Sequence, residues 1–494
     1  MNRPIKRLAI ANRGEVAVRI IRACQELDIE TVLLHSEPDV NTLAYRLSDH
    51  QICIGPAPAN ESYLRIQDNI RGALAMGAKA IHPGFGFLSE NAEFARACQK
   101  ENLVFIGPTP ENIQTCGDKI KVKYLAKELG IKTIPGYNGE DQTIDLLVAE
   151  CKAIGFPVLV KAAAGGGGRG HKVIHDAASA KEMIEASQRE AKAAFGSSKV
   201  FLEKYLGRAK HIEVQVFGDA IGKIYSLCER ECSVQRKHQK IIEEGPSAKL
   251  NPEEKKKVHE MARKLAERAN YKNAGTVEFL YQDGEFYLIE MNTRLQVEHP
   301  VTEMILSIDL VKSQILTAQG TPLSWNQENL VPRGHSIECR IYAEDPNMGG
   351  LPNTGVLKYL EFPEGPGRRF DLGFEAGDEV TPFYDSMINK IIVWDESRPA
   401  AIRKMLRVLD DTIVFGLKTN IPFLKAILNH HEFISGEMTT QFIEKNFPNA
   451  LGPMKLTPEQ TAFAEQAYSQ AGAHNPNPET SRLQSPWEVL WRNV

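Results

Sequence analysis

Several features that would indicate a membrane protein or a nucleic-acid-binding protein are missing from this sequence of 494 residues. It has no uninterrupted apolar run of about 18 residues, the length that a membrane-spanning helix needs. Its formal net charge of -4 gives no basic surface of the kind that nucleic acid binds. We therefore expect neither a membrane nor a nucleic acid among its partners.

Cysteine pairs with zinc-binding spacing are also missing. The eight cysteines are scattered, and only Cys228 and Cys232 lie close together. Isolated thiols of this kind are typical of reduced cysteines buried in a cytosolic protein, whereas disulfide-rich secreted domains show dense, regular spacings. We expect free thiols and a cytoplasmic location.

The length and the ordinary composition, 42% hydrophobic and 25% charged, predict a globular protein of about three domains. Residues 1–116 alternate short apolar strands with amphipathic helices, which predicts a small doubly wound α/β domain. Residues 117–334 form a second domain, with a compact insert at 134–205. A mixed, strand-rich pattern fills 335–447, and 448–494 reads as an extension with one helix and a Trp-bearing end.

Polar residues occupy every second position of the segment E-M-N-T-R-L-Q-V-E. They are Glu290, Asn292, Arg294, Gln296 and Glu298. Alternate side chains of a strand share a face, so the spacing predicts a strand with two carboxylates, two amides and a guanidinium on one side. The solvated outer face of an ordinary amphipathic strand would show the same alternation.

A hairpin is predicted just upstream, where Asp283-Gly284 separates two β-rich runs. A three-residue loop centred on Gly284 would place Glu278 directly opposite Glu290. At such a short distance, two ionised carboxylates repel each other by about 4 kcal/mol at an effective dielectric constant near 20. We therefore expect a cation between them. Glu278, Glu290 and Asn292 offer only oxygen ligands, which suit Mg²⁺ or Mn²⁺ and argue against zinc.

Four consecutive glycines follow the strand that ends near Lys161, and with Gly170 they satisfy the pattern G-x-G-x-x-G. A dinucleotide site is not predicted, because that pattern should open a helix and here a second strand follows. A glycine loop between two strands can close over a triphosphate with its backbone N–H groups. A flexible turn, with Lys161 as a surface lysine, is the alternative.

Two further segments add polar groups downstream. The stretch Glu203-Lys204-Tyr205-Leu206 ends the next strand, where its backbone can hydrogen-bond an adenine edge. His211 and the basic run from Cys232 to Lys240 supply imidazoles and cations. A basic run by itself usually forms a solvated face, so neither segment is specific when taken alone.

Taken in order, these segments resemble the biotin carboxylases, the ATP-grasp component of biotin-dependent carboxylases, over roughly residues 4–447. The motifs that carry the resemblance are A-N-R-G-E-V-A-V-R-I-I-R-A, A-I-H-P-G-F-G-F-L-S-E-N, G-D-K, K-A-A-A-G-G-G-G-R-G, C-S-V-Q-R-K-H-Q-K-I-I-E-E, E-M-N-T-R-L-Q-V-E-H-P-V-T-E and G-H-S-I-E-C-R-I-Y-A-E-D-P. The resemblance implies an α/β protein with an ATP-grasp fold, in which the insert at 134–205 is a mobile lid, and usually a homodimer.

The resemblance also implies a role for particular residues. ATP would be bound by Lys119, Lys161, Gly167, Gly168, Glu203, Lys204, Tyr205, Leu206, His211, Gln235, His238, Glu278 and Glu290. Mg²⁺ or Mn²⁺ would be bound by Glu278, Glu290 and Asn292. Bicarbonate would meet Lys240, Arg294, Gln296 and Val297. Among the catalytic residues, Lys240, Arg294, Glu298 and Arg340, Glu298 would be the general base and Arg340 would stabilise the biotin enolate.

Two positions depart from the family pattern. Phe85 stands where the family usually has Tyr, which removes a hydroxyl near the expected biotin pocket, and Ala163-Ala164 replaces a common Ser-Gly. Neither change removes a charged catalytic group.

The biotin itself is expected on another protein. The only Met-Lys dipeptide, Met454-Lys455, lies between Gly-Pro and Leu-Thr-Pro, a context unlike a biotinylated turn. We expect a separate biotin carboxyl carrier protein and carboxyltransferase subunits of an acetyl-CoA or other acyl-CoA carboxylase. The alternatives are the corresponding subunit of a two-subunit pyruvate carboxylase, an ATP-grasp ligase for another acid, and a catalytically inactive homologue.

Overall fold

The computed structural model describes residues 4–162, 172–195, 197–237, 239–448 and 450–451. The first domain is a five-stranded parallel sheet of order β3-β2-β1-β4-β5, with helices between the strands. Its elements are β1 Arg7–Ile10, α1 Gly14–Gln25, β2 Glu30–Ser36, α2 Leu43–Leu47, β3 His50–Gly55, α3 Ile66–Ala75, β4 Ala80–His82, α4 Ala92–Lys100, β5 Val104–Phe105 and α5 Pro110–Cys116. This confirms the doubly wound α/β prediction.

The strands of this domain show why the sequence folds this way. β2 is buried over T-V-L-L-H-S on both faces, as a central parallel strand requires. β3 gives the weaker signal, because its sequence H-Q-I-C-I-G shows only a short alternation of Ile52 and Ile54. Asn91 caps α4 by accepting a hydrogen bond from the Phe94 amide, and this fixes the loop that leads into the helix.

The insert has its own four-stranded sheet of order β6-β9-β7-β8, with two helices packed on it. The helix that precedes the insert is α6 Lys119–Glu128, which is capped by Asp118. The insert contains β6 Gly136–Tyr137, α7 Ile144–Ile154, β7 Val158–Ala162, β8 Lys172–Ile174, α8 Ala177–Phe195 and β9 Val200–Lys204. The glycine run lies outside the described residues.

An eight-stranded antiparallel sheet, of order β14-β13-β10-β11-β12-β15-β22-β20, carries the rest of the molecule. Its first part comprises β10 Lys210–Gly218, β11 Ile224–Arg236, β12 Gln239–Gly245, α9 Pro252–Arg268, β13 Asn273–Gln282, β14 Glu285–Asn292, α10 His299–Leu306 and α11 Leu310–Gln319. The sheet continues past residue 335, because β12 pairs directly with β15.

The C-terminal part is mixed, as predicted. It comprises β15 His335–Tyr342, β16 Glu344–Asp345, β17 Leu351–Pro352, β18 Gly355–Val356, β19 Tyr359–Glu361, β20 Arg368–Leu372, β21 Glu379–Val380, β22 Met387–Asp395, α12 Arg398–Asp411, β23 Ile413–Phe415, α13 Ile421–Leu428, α14 His431–Ser435 and α15 Phe442–Asn446. Its core packs α12 against β15 and β22, through buried residues such as Ile337, Ile391 and Met405, and α13 packs against α12.

The predicted hairpin exists, but its loop was predicted wrongly. The turn has two residues, with Asp283 and Gly284 both at positive φ, and Gln282 pairs with Glu285. A β-bulge then shifts the register by one residue between Phe279 and Glu278, so that Glu278 still lies opposite Glu290. The predicted pairing is confirmed, and a bulge produces it.

The strand predicted through Glu298 is wrong, because β14 ends at Asn292. The Thr293 amide donates to the Glu90 carboxylate instead of to a neighbouring strand. Helix α10 then starts at His299, with Pro300 in its first turn, and a proline has no N–H to give to a ladder. The alternating polar residues after Asn292 therefore lie on a turn.

The remaining sequence expectations have mixed outcomes. All eight cysteines are free thiols, and seven of them are buried. Within the described ranges, no helix is long and apolar enough to cross a membrane. The predictions for 452–494, including Met454-Lys455, lie outside the described residues.

Candidate active site

Three carboxylates form a row across the eight-stranded sheet. Glu213 on β10 pairs in register with Glu278 on β13, and Glu278 pairs with Glu290 on β14. On the other side of Glu213 lies Arg230, which is fully buried and donates to Glu213 Oε1 at 2.6 Å. Sequence reasoning found Glu278 and Glu290, and it missed Glu213 and Arg230. The alternation in β10 and β11 was a signal that could have found both.

Lys240 joins this row to the predicted general base. Its Nζ lies 2.5 Å from Glu213 Oε2, 2.9 Å from Glu278 Oε1 and 2.7 Å from Glu298 Oε1. Burial opposes the charge on Lys240, but these three carboxylates outweigh it and raise the pKa of the ammonium well above its ordinary value. Lys240 is therefore a fixed positive charge at the centre of the site.

Glu298 sits between two cations at the end of the turn. Lys240 contacts one of its oxygens, and Arg340 Nη2 donates to the other at 2.9 Å. The carboxylate is 2% exposed, and burial alone would raise its pKa. Lys240, Arg340 and Arg230 reverse that effect and hold the pKa of Glu298 well below its usual range, so it is ionised at neutral pH.

Arg340 itself is shared by two carboxylates. Its Nε donates to Glu243 Oε1 at 2.6 Å, while its Nη2 bonds Glu298. Burial raises the pKa of Glu243 to about 7, although Arg340 opposes the shift. Glu243 pairs in register with Glu338, whose buried carboxyl oxygens have no hydrogen-bond partner among the described residues.

Arg294 and Gln296 were predicted on one strand face with Glu290, but they lie on the turn that follows β14. Gln296 Nε2 donates to Glu278 Oε1 at 2.8 Å. Arg294 Nη2 donates to Asn292 Oδ1 at 3.1 Å, and its Nε donates to Glu90 Oε2 at 3.0 Å. Glu90 was missed as a site residue, although it lies in the quoted motif G-F-G-F-L-S-E-N.

Two side chains hold the backbone of the turn between Asn292 and His299. The carbonyl of Val297 accepts a hydrogen bond of 2.7 Å from Lys390 Nζ, and the carbonyl of Gln296 accepts one of 2.8 Å from His299 Nδ1. Lys390 is completely buried. The turn that presents Glu298 is thus tied at two successive carbonyls.

The lysines that are predicted to bind the nucleotide form ion pairs with carboxylates. Lys119 Nζ lies 2.7 Å from Glu290 Oε2. Lys161 forms an ion pair with Glu203, and Lys123 Nζ lies 3.0 Å from the same carboxylate. Burial would raise the pKa of Glu203, but the two lysines lower it to about 2. Lys123 was not predicted.

The other predicted nucleotide residues have varied surroundings. Lys204 donates through its Nζ to the carbonyls of Gly155 and Phe156 at 2.8 Å, so its side chain fixes the insert's own fold. His211 Nε2 lies 3.0 Å from Glu278 Oε2, and Gln235 contacts His211 Nδ1 at 3.0 Å. Tyr205 and Leu206 follow β9, whereas Gly167, Gly168 and His238 lie outside the described residues.

The carboxylates also fit a hard divalent cation. Glu278 and Glu290 lie side by side on adjacent strands, and the Asn292 amide lies next to Glu278. Lys119 pairs with Glu290, and Lys240 pairs with Glu278. These carboxylates need positively charged partners, because unpaired negative charge is costly to bury. His211, Glu213 and Glu278 bring three possible ligand atoms within 4.8 Å of one another.

Comparisons with known proteins identify the family. Three family models match consecutive segments: the biotin carboxylase N-terminal domain over 4–113, the carbamoyl-phosphate synthase L chain ATP binding domain over 118–326, and the biotin carboxylase C-terminal domain over 338–445. The biotin carboxylase of Haemophilus influenzae is 45% identical over 442 residues, which cover 89% of this chain and 98% of that protein. The chain belongs to the biotin carboxylase family.

Other members of the family have different overall reactions. A pyruvate carboxylase subunit of Methanothermobacter thermautotrophicus is 46% identical over 439 residues, which cover 89% of each chain. The biotin carboxylase domain dimer of the Hydrogenobacter thermophilus 2-oxoglutarate carboxylase, solved with MgADP, ADP and bicarbonate, is 41% identical. It superposes with a TM-score of 0.85 over 91% of this chain and 99% of that one. These matches confirm the predicted family and the ATP-grasp biotin carboxylase fold.

Proposed function

We propose that this biotin carboxylase uses ATP and bicarbonate to carboxylate biotin on a separate carrier protein, by way of carboxyphosphate. The observation that carries the proposal is the position of Glu298, an ionised carboxylate that is held between Lys240 and Arg340 and is joined to the acidic row by Lys240. A base between two cations suits a reaction in which bicarbonate loses a proton and negative charge then develops on biotin.

The nucleotide would lie between the insert and the large sheet. Lys119 and Lys161 would neutralise its phosphates, because each now has a carboxylate partner that a phosphate can replace. The remaining proposed contacts are Gly167, Gly168, Glu203, Lys204, Tyr205, Leu206, His211, Gln235 and His238. The insert at 134–205 would then act as the lid of the site.

Glu278, Glu290 and Asn292 would hold Mg²⁺ or Mn²⁺. The metal would supply positive charge for the phosphate oxygens while the γ-phosphoryl group is transferred. The chain's own contribution is to hold two carboxylates in register on adjacent strands, through the bulge in β13–β14.

Bicarbonate would bind between Arg294, Lys240, Gln296 and Val297. Glu298 takes the proton from the bicarbonate hydroxyl, and the freed oxygen attacks the γ-phosphorus of ATP to give carboxyphosphate and ADP. Lys240 is placed to offset the charge that develops, since it already contacts three carboxylates.

Biotin would accept the carboxyl group beside Arg340. Carboxyphosphate separates into CO₂ and phosphate, and the phosphate takes the proton from the ureido nitrogen, which then attacks CO₂. Arg340 stabilises the negative charge on the ureido oxygen. Its own orientation is set by Glu243 and Glu298.

The partners are the finer part of the proposal. The three matched domains account for most of the described residues, and biotin would be delivered to them by a biotin carboxyl carrier protein. Carboxyltransferase subunits of an acetyl-CoA or other acyl-CoA carboxylase would then receive the carboxylated biotin. This chain would act as a homodimer in the cytoplasm. The pyruvate carboxylase relative supports a two-subunit pyruvate carboxylase as the second candidate.

ATP cleavage measured with and without bicarbonate, and with and without free biotin, tests the reaction. We expect cleavage to need bicarbonate and to be stimulated by biotin. Biotinyl carrier domains from the acyl-CoA and pyruvate systems can then be supplied in turn, and the faster carboxylation identifies the physiological partner. Cleavage that ignores bicarbonate would contradict the proposal.

A further inference from the structure

We propose that Glu90 is a positioning residue that orients Arg294 for bicarbonate from a different domain. This inference deepens the proposed function and rests on it. Glu90 belongs to the loop between β4 and α4 of the N-terminal domain, whereas Arg294 lies on the turn after β14. The bicarbonate subsite is therefore completed by contact between the two domains.

Glu90 makes two contacts with successive residues. Its Oε2 accepts a hydrogen bond of 3.0 Å from Arg294 Nε, and its Oε1 accepts one of 3.0 Å from the backbone amide of Thr293. One contact sets the plane of the guanidinium, and the other fixes the backbone that carries it. A carboxylate spanning both restricts the guanidinium to one orientation.

The guanidinium of Arg294 also makes contacts through its two terminal nitrogens. Nη2 donates to Asn292 Oδ1 at 3.1 Å, and Nη1 donates to the Leu295 carbonyl at 3.3 Å. A guanidinium has five N–H donors, so these contacts and the bond to Glu90 leave donors for an anion. Arg294 lies on a turn and not on a strand, so no neighbouring strand fixes its backbone. Glu90 fixes the orientation of the Arg294 side chain instead.

The loop that carries Glu90 is itself held at both ends. Asn12 donates through Nδ2 to the carbonyls of Pro83 and Phe85, at 2.7 Å each. At the other end, Asn91 accepts from the Phe94 amide and starts α4. Since both flanks are fixed, Glu90 does not have to be ordered when the anion binds, and this lowers the entropic cost of binding.

Steady-state kinetics of Glu90→Gln provide the test. The amide keeps the size of the side chain but loses the charge that pairs with Arg294. With free biotin as acceptor, we expect the KM for bicarbonate to rise about tenfold, because a neutral amide holds the guanidinium of Arg294 less strongly than an ionised carboxylate does. The KM for ATP should change less than about twofold.

Glu93→Gln is the matched control, since Glu93 is exposed, lies three residues away and makes no hydrogen bond to Arg294 within the described ranges. Its KM for bicarbonate should equal that of the parent. Glu90→Asp keeps the charge but retracts it, and should raise the same KM.

An unchanged or lower KM for bicarbonate in Glu90→Gln would overturn the inference, as would an equal rise in the KM for ATP. Failure of the proposed function gives a different result. In that case the parent protein itself would show no bicarbonate-dependent ATP cleavage.

Discussion

At the scale of single residues, the site is built from buried charges that neutralise one another. Lys240 contacts three carboxylates, and Glu298 contacts two cations. Taking one member away leaves its partner charged and unpaired in a dry environment. Substitutions here must therefore be tested for folding as well as for chemistry.

Glu298→Gln should bind nucleotide normally and lose nearly all biotin-dependent turnover. The amide keeps the shape but cannot accept the proton of bicarbonate, and loss of a general base commonly costs about 10²–10⁴-fold in rate. Turnover by a radioactive bicarbonate fixation assay, with ADP affinity by calorimetry as the folding control, measures both. Near-normal turnover would show that Glu298 is not the base.

Glu290→Gln should raise the Mg²⁺ concentration needed for half-maximal activity by about tenfold, since one of two facing carboxylates loses its charge. Glu285→Gln is the matched control, because Glu285 lies on the same strand, is partly exposed to solvent and pairs with Lys132 and Lys257 instead of with the acidic row. Identical Mg²⁺ titrations for the two variants would argue against a metal site at Glu278 and Glu290.

Sequence reasoning was reliable at this scale where a motif is local. It predicted that Glu278 lies opposite Glu290, because both belong to one hairpin. It did not find Glu213, Lys123 or Glu90. Glu90 is about 200 positions from its partners along the chain, and only the fold brings them together.

At the scale of secondary structure, two errors show what periodicity cannot tell. The strand predicted to Glu298 ends six residues early, because a period-two pattern was read through a turn and the start of a helix. The hairpin loop was predicted one residue too long, and a bulge compensates. Bulges and turns depend on contacts from other elements, such as the bond from the Thr293 amide to Glu90.

The pairing of β12 with β15 places two buried carboxyl groups, Glu243 and Glu338, opposite each other. Burial raises the pKa of Glu338 well above its ordinary value, and Glu243 adds to the shift, although Lys390 opposes it. The folded protein therefore binds a proton that the unfolded chain gives up, so this group's contribution to stability is present in acid and is lost as the pH rises.

Glu338→Gln removes that dependence, because an amide does not titrate. We expect the variant to melt at about the same temperature as the parent at pH 5, and about 2 °C or more above it at pH 8. Calorimetric scans at the two pH values measure the difference. A variant that is less stable than the parent at pH 8 would mean that Glu338 is ionised and needed in the folded state.

At the scale of the whole molecule, Lys390 links three parts of the chain. It lies on β22, its Nζ is 3.2 Å from Glu15 Oε2 on α1, and it bonds the Val297 carbonyl next to Glu298. Burial opposes its charge, but Glu15, Glu338 and Asp371 raise the pKa of the ammonium. A single buried cation thus ties the N-terminal domain and the C-terminal strands to the turn that carries the base.

Lys390→Met should lower the free energy of unfolding by about 3–5 kcal/mol, because Glu15 is left buried without its cation. Adding Glu15→Gln should restore part of that loss, since both charges are then gone. Urea denaturation followed by fluorescence measures the two variants. Lys418→Met, which breaks an exposed ion pair with Asp345, is the control and should change stability by less than about 0.5 kcal/mol. An equal effect of Lys390→Met and Lys418→Met would contradict this account.

The family and its fold could be predicted from the sequence, because the motifs are long, and so could the pairing of Glu278 with Glu290, because both lie in one hairpin. The contacts between domains could not. Glu15 and Glu90 lie inside two of the quoted motifs, but no local pattern shows which residues they and Lys390 contact. Their roles depend on the way in which three domains pack around one turn.

The most direct measurement of the central claim is the origin of the oxygen in the phosphate that ATP cleavage releases. The protein is incubated with MgATP, biotin and freshly dissolved ¹⁸O-bicarbonate, and the phosphate is analysed by mass spectrometry. If Glu298 activates bicarbonate to attack the γ-phosphorus, each phosphate acquires one ¹⁸O atom from bicarbonate. Phosphate that takes its new oxygen from water instead would contradict the account.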